Sequence, residues 1–182
     1  MPIGSFEAVP FVASTLLAMQ PRRVLDVGLG FGLYGAAVRS WVDLGVRPWR
    51  TFLVGVEGFS AYRNPTWDLY DMVFEQPIER FLSVHAEHYD VVLAADIIEH
   101  FDQLTGVELL KQLKQRVAPG GRLIVVTPAV FFAQAAVYGN EYEVHRSFWS
   151  KADLELHGLV VTLDGRHSPH GIPTFVAEWS AG

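Results

Sequence analysis

The chain has 182 residues, half of them hydrophobic, and a formal charge of −6, which suits one globular domain, residues 1–182, with a sizeable core. The absence of cysteine excludes a disulfide framework and cysteine-based zinc sites. An acidic balance without a basic stripe disfavours long nucleic acids as partners, and no apolar run reaches the roughly 20 residues of a membrane helix.

Residues 1–18 contain Glu7 and no basic segment ahead of an apolar run, so no signal peptide is indicated and a soluble, cytoplasmic protein is expected. Apolar residues from Phe6 to Leu17 recur at helical spacing, which predicts a helix over 5–19. Val24, Leu25 and Val27 then suit a buried strand that leads into Gly28, Gly30 and Gly32 and on to a helix from about Leu33 to Leu44. Glycines let the chain turn sharply and a ligand approach its backbone, and the following helix aims its first N–H groups into that space. A polar ligand is expected there. A dinucleotide fingerprint, G-x-G-x-x-G, needs a small residue where this chain has Leu33, which counts against NAD. Arg22, Arg23, Arg39, Arg47 and Arg50 read as solvated helix ends and loops.

A second strand, Thr51–Val56, is closed by Glu57. In an open α/β sheet this end lies beside the first glycine turn, and a carboxylate there can accept hydrogen bonds from two vicinal ribose hydroxyls. Residues 58–71 are aromatic but aperiodic and read as a loop with room for one helical turn. Phe59, Tyr62, Trp67 and Tyr70 fit two roles equally: stacking on a ligand, or a small core under the loop. Met72–Glu75 is a short third strand followed by Gln76 and an amphipathic turn through Phe81 and Leu82.

Asp90–Ala95 reads as a fourth buried strand that delivers Asp96, Glu99 and His100 to the same sheet edge. Their i, i+3, i+4 spacing puts all three on one face of a helical turn, as metal ligands or an acid–base group require. The same segment fits a capping box, in which Asp96 caps a helix and Glu99 reaches back. Thr105 and Glu108 suggest another capping box before a helix with Leu109, Leu110 and Leu113 on one face; Pro119-Gly120-Gly121 breaks it, and Arg122–Thr127 is strand five. Residues 129–149 are weakly patterned. A short helix over Lys151–His157 precedes two strands, Leu159–Leu163 and Thr174–Trp179, whose short connection makes them antiparallel. His85, His88, His157, His167 and His170 show no ligand spacing and read as surface or turn residues. The succession predicts an α/β fold: a doubly wound, mainly parallel seven-stranded sheet with a C-terminal antiparallel hairpin.

The pattern Asp26-x-Gly28-x-Gly30-x-Gly32 resembles motif I of the class I S-adenosylmethionine (SAM)-dependent methyltransferases, small Rossmann-like enzymes whose sheet ends in such a hairpin. The resemblance implies SAM as methyl donor and S-adenosylhomocysteine as product, held by Asp26, Gly28, Gly30, Gly32, Glu57 and Asp96. It implies Gln76 at the adenine amino group, where relatives commonly carry Asp. It places Asp96, His100 and His145 at the methyl acceptor. Acid-x-x-Glu-His segments like Asp96–His100 occur in ubiquinone-biosynthesis O-methyltransferases and small-RNA 2′-O-methyltransferases, where they hold a divalent metal; the corresponding set is Asp96, Glu99, His100 and His145. Gly139–Trp149 is similar to a segment of small methyltransferases associated with glycan genes, which implies a small-molecule or glycan hydroxyl as acceptor. A metal-assisted RNA 2′-O-methyltransferase and a non-catalytic SAM-binding module are the competing expectations.

Overall fold

The computed structural model describes residues 5–131, 133–165 and 171–182. Seven strands, β1 (Arg23–Val27), β2 (Phe52–Glu57), β3 (Met72–Glu75), β4 (Tyr89–Ala95), β5 (Val117–Pro128), β6 (Val160–Asp164) and β7 (Thr174–Ser180), form one sheet in the order β3-β2-β1-β4-β5-β7-β6. β1 to β5 run parallel, and β7 enters antiparallel between β5 and β6. The expected α/β class and terminal hairpin are what the structure shows. His167 and His170 lie outside the described residues.

Both faces of the sheet are covered because the central strands are apolar on both sides, the pattern of a parallel sheet buried between helices. One core layer gathers Leu25, Val54, Val92, Val125 and Phe81 with Leu109, Leu110, Leu113 and Trp149. The opposite layer gathers Val24, Leu53, Val91, Ile124 and Val176 with Val12, Leu16, Tyr34, Trp67 and Tyr70. The helices that supply them are α1 (Val9–Met19), α2 (Leu33–Ala37, widening into a π turn over Val38–Val42), α3 (Ile78–Val84), α4 (Gln103–Lys114) and α5 (Lys151–Leu156). Among the described residues no helix is long and apolar enough to cross a membrane.

Several local expectations are corrected. α4 is capped by Asp102, which accepts from the Thr105 N–H at 3.0 Å, rather than by a Thr105–Glu108 box, because Asp102 sits one residue before the helix. The Pro119–Gly121 segment falls within β5, where the register against β4 shifts, instead of separating it from α4. Residues 58–71 form two 3-10 turns, Ser60–Tyr62 and Pro65–Leu69, and Tyr62, Trp67 and Tyr70 are buried, so of the two readings the small core holds for these three. Arg39 is buried, not solvated: it donates to Asp43 at 2.7 Å and Asp71 at 2.8 Å, and Trp49 covers its guanidinium. His85 stacks on Phe81 with centroids 4.5 Å apart, an apolar environment that its sequence context did not signal.

Candidate active site

Successive βα units leave β1 in one direction towards β3 and return to β4 on its other side, so β1 and β4 are neighbours at the point where the winding reverses. Ligands of such sheets bind in the crevice this reversal opens at the carboxyl ends of the strands. The glycine turn stands there. Gly28, Gly30 and Gly32 have φ of 68°, 52° and 83°, and Gly28 N–H donates to the Val56 carbonyl at 2.8 Å. At Gly28 a Cβ would come within 1.9 Å of the Ile97 side chain, so no other residue fits.

The turn is fixed from both sides. Glu57 accepts from the Gly30 N–H at 3.0 Å and from the Phe59 N–H at 2.8 Å, and the Trp67 indole donates to the Gly30 carbonyl at 2.8 Å. Burial raises the Glu57 carboxyl above its usual range, while those N–H donors pull it back. Asp26 and Gly32 lie behind the turn. Asp26 is buried and accepts from the Tyr70 hydroxyl at 2.6 Å, and a Cβ on Gly32 would meet the Thr66 and Tyr70 side chains.

Two adjoining cavities open above the turn. The inner one, about 70 Å³, is lined by Gly28, Gly30, Tyr34, Glu57, Asp96 and His100 among others. The outer one, about 320 Å³, lies against Val56, Gly58, Ile78, Ile97, Phe101 and Arg146. Gln76 is partly buried beside the outer cavity's Pro77 and Ile78 but is absent from its lining.

Beyond β4 the chain does not make the expected helical turn. Asp96 takes φ 53°, a left-handed conformation, and only the single 3-10 turn Ile98–His100 follows. Asp96 therefore caps nothing: it accepts from the Ser5 hydroxyl at 2.8 Å, and its Oδ2 is shielded with no partner among the described residues. Asp96 is thus separated from the other three ligand candidates. Glu99, His100 and His145 do come together, one ligand atom from each lying within 4.8 Å of the others. Glu99 accepts from the Thr127 hydroxyl at 3.1 Å through one oxygen, and its other oxygen, Oε1, is buried with no partner among the described residues. Burial first, and the Asp96 charge second, push the Glu99 carboxyl up to about 8. His100 is held down to about 3, by burial and then by repulsion from His145.

The sequence reasoning missed Ser5, Tyr34, Asn140 and Tyr142. Tyr34 lines the inner cavity with a buried hydroxyl that has no partner among the described residues. Its place in the first turn of a helix after a glycine motif was the one available signal.

A sheet of this order, with a glycine turn at its reversal point and a carboxylate closing the next strand, defines a Rossmann-like enzyme for a ribose-bearing ligand. Residues 7–157 match a sequence model described as a methyltransferase domain, and the chain belongs to that family. Its fold is that of the class I SAM-dependent methyltransferases, and SAM-dependent methyl transfer is the activity that membership assigns. A tRNA U34 carboxymethyltransferase of Idiomarina loihiensis is 30% identical over 146 residues, 76% of this chain and 43% of that protein. An O-methyltransferase family protein from Burkholderia thailandensis superposes with a TM-score of 0.62 at 19% identity, over 97% of this chain and 56% of the other. The same organism's 1,6-didemethyltoxoflavin-N1-methyltransferase, solved with its substrate and S-adenosylhomocysteine, gives 0.63 at 17% identity over 97% and 79%. The chain thus spans under half of that curated relative and just over half of the first of these structures.

Proposed function

We propose that this protein transfers a methyl group from SAM to the oxygen of a small-molecule or glycan hydroxyl. The observation that carries the reading is the placement of Glu57 at the rim of a glycine turn whose backbone it holds open, with His100 and Asp96 facing the same crevice from the next strand. In this reading Gly28 and Gly30 let the cofactor approach the backbone, Glu57 receives its ribose hydroxyls, and Asp96 lies by its methionine end. Asp26 and Gly32 support the turn from behind, and Gln76 stands near the adenine. The methyl of a sulfonium is already activated, so the protein's tasks are alignment and removal of the acceptor's proton.

His100 is suited to the second task, because burial keeps its imidazole neutral and so able to take a proton. His145 is 5.0 Å from it, ring to ring. The buried, unpartnered Glu99 Oε1 facing two imidazoles also fits a divalent cation better than a purely structural role, with Glu99, His100 and His145 as its holders. Such an ion, when bound, would lower the cost of ionising the acceptor hydroxyl. The tRNA relative supports a second reading, an RNA acceptor, against which the charge of −6 weighs.

Calorimetry with S-adenosylhomocysteine tests the donor site, and the expected result is saturable heat; no heat and no thermal shift at millimolar ligand sinks the reading. A radiolabelled methyl-transfer screen over hydroxylated sugars and unmodified tRNA, with and without chelator and added Mn²⁺, separates the acceptors and reports on the metal. Label in tRNA alone overturns the small-molecule acceptor, and a rate indifferent to chelator removes the cation.

A further inference from the structure

Between β5 and α5 the chain forms a strap, residues 134–146, that crosses the carboxyl ends of β4 and β1 and reaches β2. Its tip is the 3-10 turn Glu141–Glu143. Tyr142 rests on Gly58, the residue after Glu57; a Cβ there would lie 3.3 to 3.6 Å from its ring atoms, so the bare glycine gives the ring a flat seat. Tyr142 is also one of four residues, with Gly28, Ile97 and His100, that wall both cavities. The other three belong to the glycine turn and the β4 turn. Tyr142 alone comes from the strap's tip and alone is half exposed, at 52%.

The strap is clasped to the body of the protein at two points. At the first, buried Asn140 donates to the Tyr62 hydroxyl at 3.1 Å, that hydroxyl donates to Glu143 at 3.0 Å, and the Asn140 side chain caps the turn by accepting from the Tyr142 N–H at 3.0 Å. At the second, the Arg146 guanidinium donates to the carbonyls of His100 at 2.8 Å and Glu141 at 3.1 Å, and the Arg146 N–H donates to the Glu99 carbonyl at 2.8 Å. Tyr142 is therefore held at a set position between them. The inner cavity beneath it, about 70 Å³, is far smaller than the roughly 300 Å³ or more of a small-molecule site. A ligand reaching from the glycine turn to the outer cavity has to pass under this ring.

We propose that Tyr142 is a donor-binding residue: its ring packs on the nucleoside at the waist between the two cavities, and the Tyr62–Asn140–Glu143 clasp opens and recloses to admit it. This rests on the donor-site reading above. An aromatic face is suited to the purpose, since it stacks on a purine or the sugar edge while the rest of the contact surface is backbone. The clasp is made of neutral hydroxyl and amide groups together with one carboxylate. It can part without leaving an ion stranded in a dry interior, because Glu143 lies at the cavity wall.

Three proteins tested side by side decide it: wild type, Tyr142→Ala and Tyr142→Phe, each titrated with S-adenosylhomocysteine by calorimetry. Tyr142→Ala is expected to weaken binding by about tenfold or more, the usual cost of removing an aromatic stack, and Tyr142→Phe to stay within about twofold. Limited trypsin digestion supplies an independent readout at the exposed Arg146–Ser147 bond. Saturating ligand should slow that cleavage in wild type, and Tyr62→Phe should speed it in the free protein. Unchanged affinity in Tyr142→Ala, or cleavage indifferent to ligand in a wild type that binds, overturns the proposal. A wild type with no binding at all refutes the donor-site reading itself.

Discussion

Asp26 shows how a residue can serve a cofactor site without touching it. Its carboxyl is shut into the sheet, and burial raises it from its ordinary 3.8 to about 7, although the Tyr70 hydroxyl bond pulls the other way. The folded protein therefore holds a proton that the unfolded chain releases between pH 4 and 7, and stability falls as pH rises through that window. Above pH 7 the penalty is complete, on the order of 4 kcal/mol for a shift of this size. Asp26→Asn should flatten the decline in Tm between pH 5 and pH 8; an unaltered slope would mean that the carboxyl is not the group responsible. Tyr70→Phe should act oppositely at pH 8, costing roughly 1–3 kcal/mol by stripping the carboxylate and the Gly35 N–H of the hydroxyl they share. At this scale the sequence showed the ligand-facing residues better than their supports. Gly28, Gly30 and Glu57 follow from motif spacing and strand ends. Tyr70 does not, because its stretch is aperiodic, and the room for its ring comes from Gly32, Gly35 and Gly55, which meet only in the folded sheet.

Among the elements, the turn after β4 departs most from its sequence pattern. An i, i+3, i+4 set shares a face only if the chain is α-helical, and here the left-handed Asp96 and a 3-10 turn of three residues replace the helix. Carbonyls that a helix would have used internally accept from the strap and α5 side instead: Glu99 from the Arg146 and Ser147 N–H groups, Ile98 from the Trp149 indole at 3.2 Å. That long-range pairing was invisible in a weakly patterned stretch, yet it is what brings His145 to Glu99 and His100. Trp149 anchors it, fully buried, and α4 makes room for the indole with Gly106, where a Cβ would come within 2.5 Å of the ring. Gly→Ala in a helix ordinarily gains roughly 0.5–1 kcal/mol. Gly106→Ala should instead lose about 1–3 kcal/mol, as overpacking against a side chain with no space to retreat outweighs propensity. Urea unfolding checks the sign. A stabilised Gly106→Ala protein would show that Trp149 is not locked in place.

For the molecule as a whole, the family match and the sheet do not end together. The match stops at residue 157, but β6 and β7 follow, and β7 pairs along β5 from Arg122↔Ser180 to Pro128↔Thr174. It is an interior strand: Phe175, Val176 and Ala177 are 2%, 0% and 0% exposed, and they join both core layers. Alternation and a short connection made the hairpin legible, but not which of its strands would lie against β5, because both orders satisfy the same pattern. Insertion of the later strand is what buries the apolar edge of β5. Each fully buried large side chain contributes about 1.5–3 kcal/mol, so losing Phe175 and Val176 together with the cover over Leu123, Ile124, Val125 and Val126 removes an amount comparable to the 5–15 kcal/mol that holds a domain together. A chain ending after Gly158 should accordingly lose cooperative thermal unfolding and aggregate through the bared β5 edge, as read by calorimetry and size-exclusion chromatography. A sharp transition in that truncated chain would instead make the hairpin an accessory and confine the folding unit to the region that the family match covers.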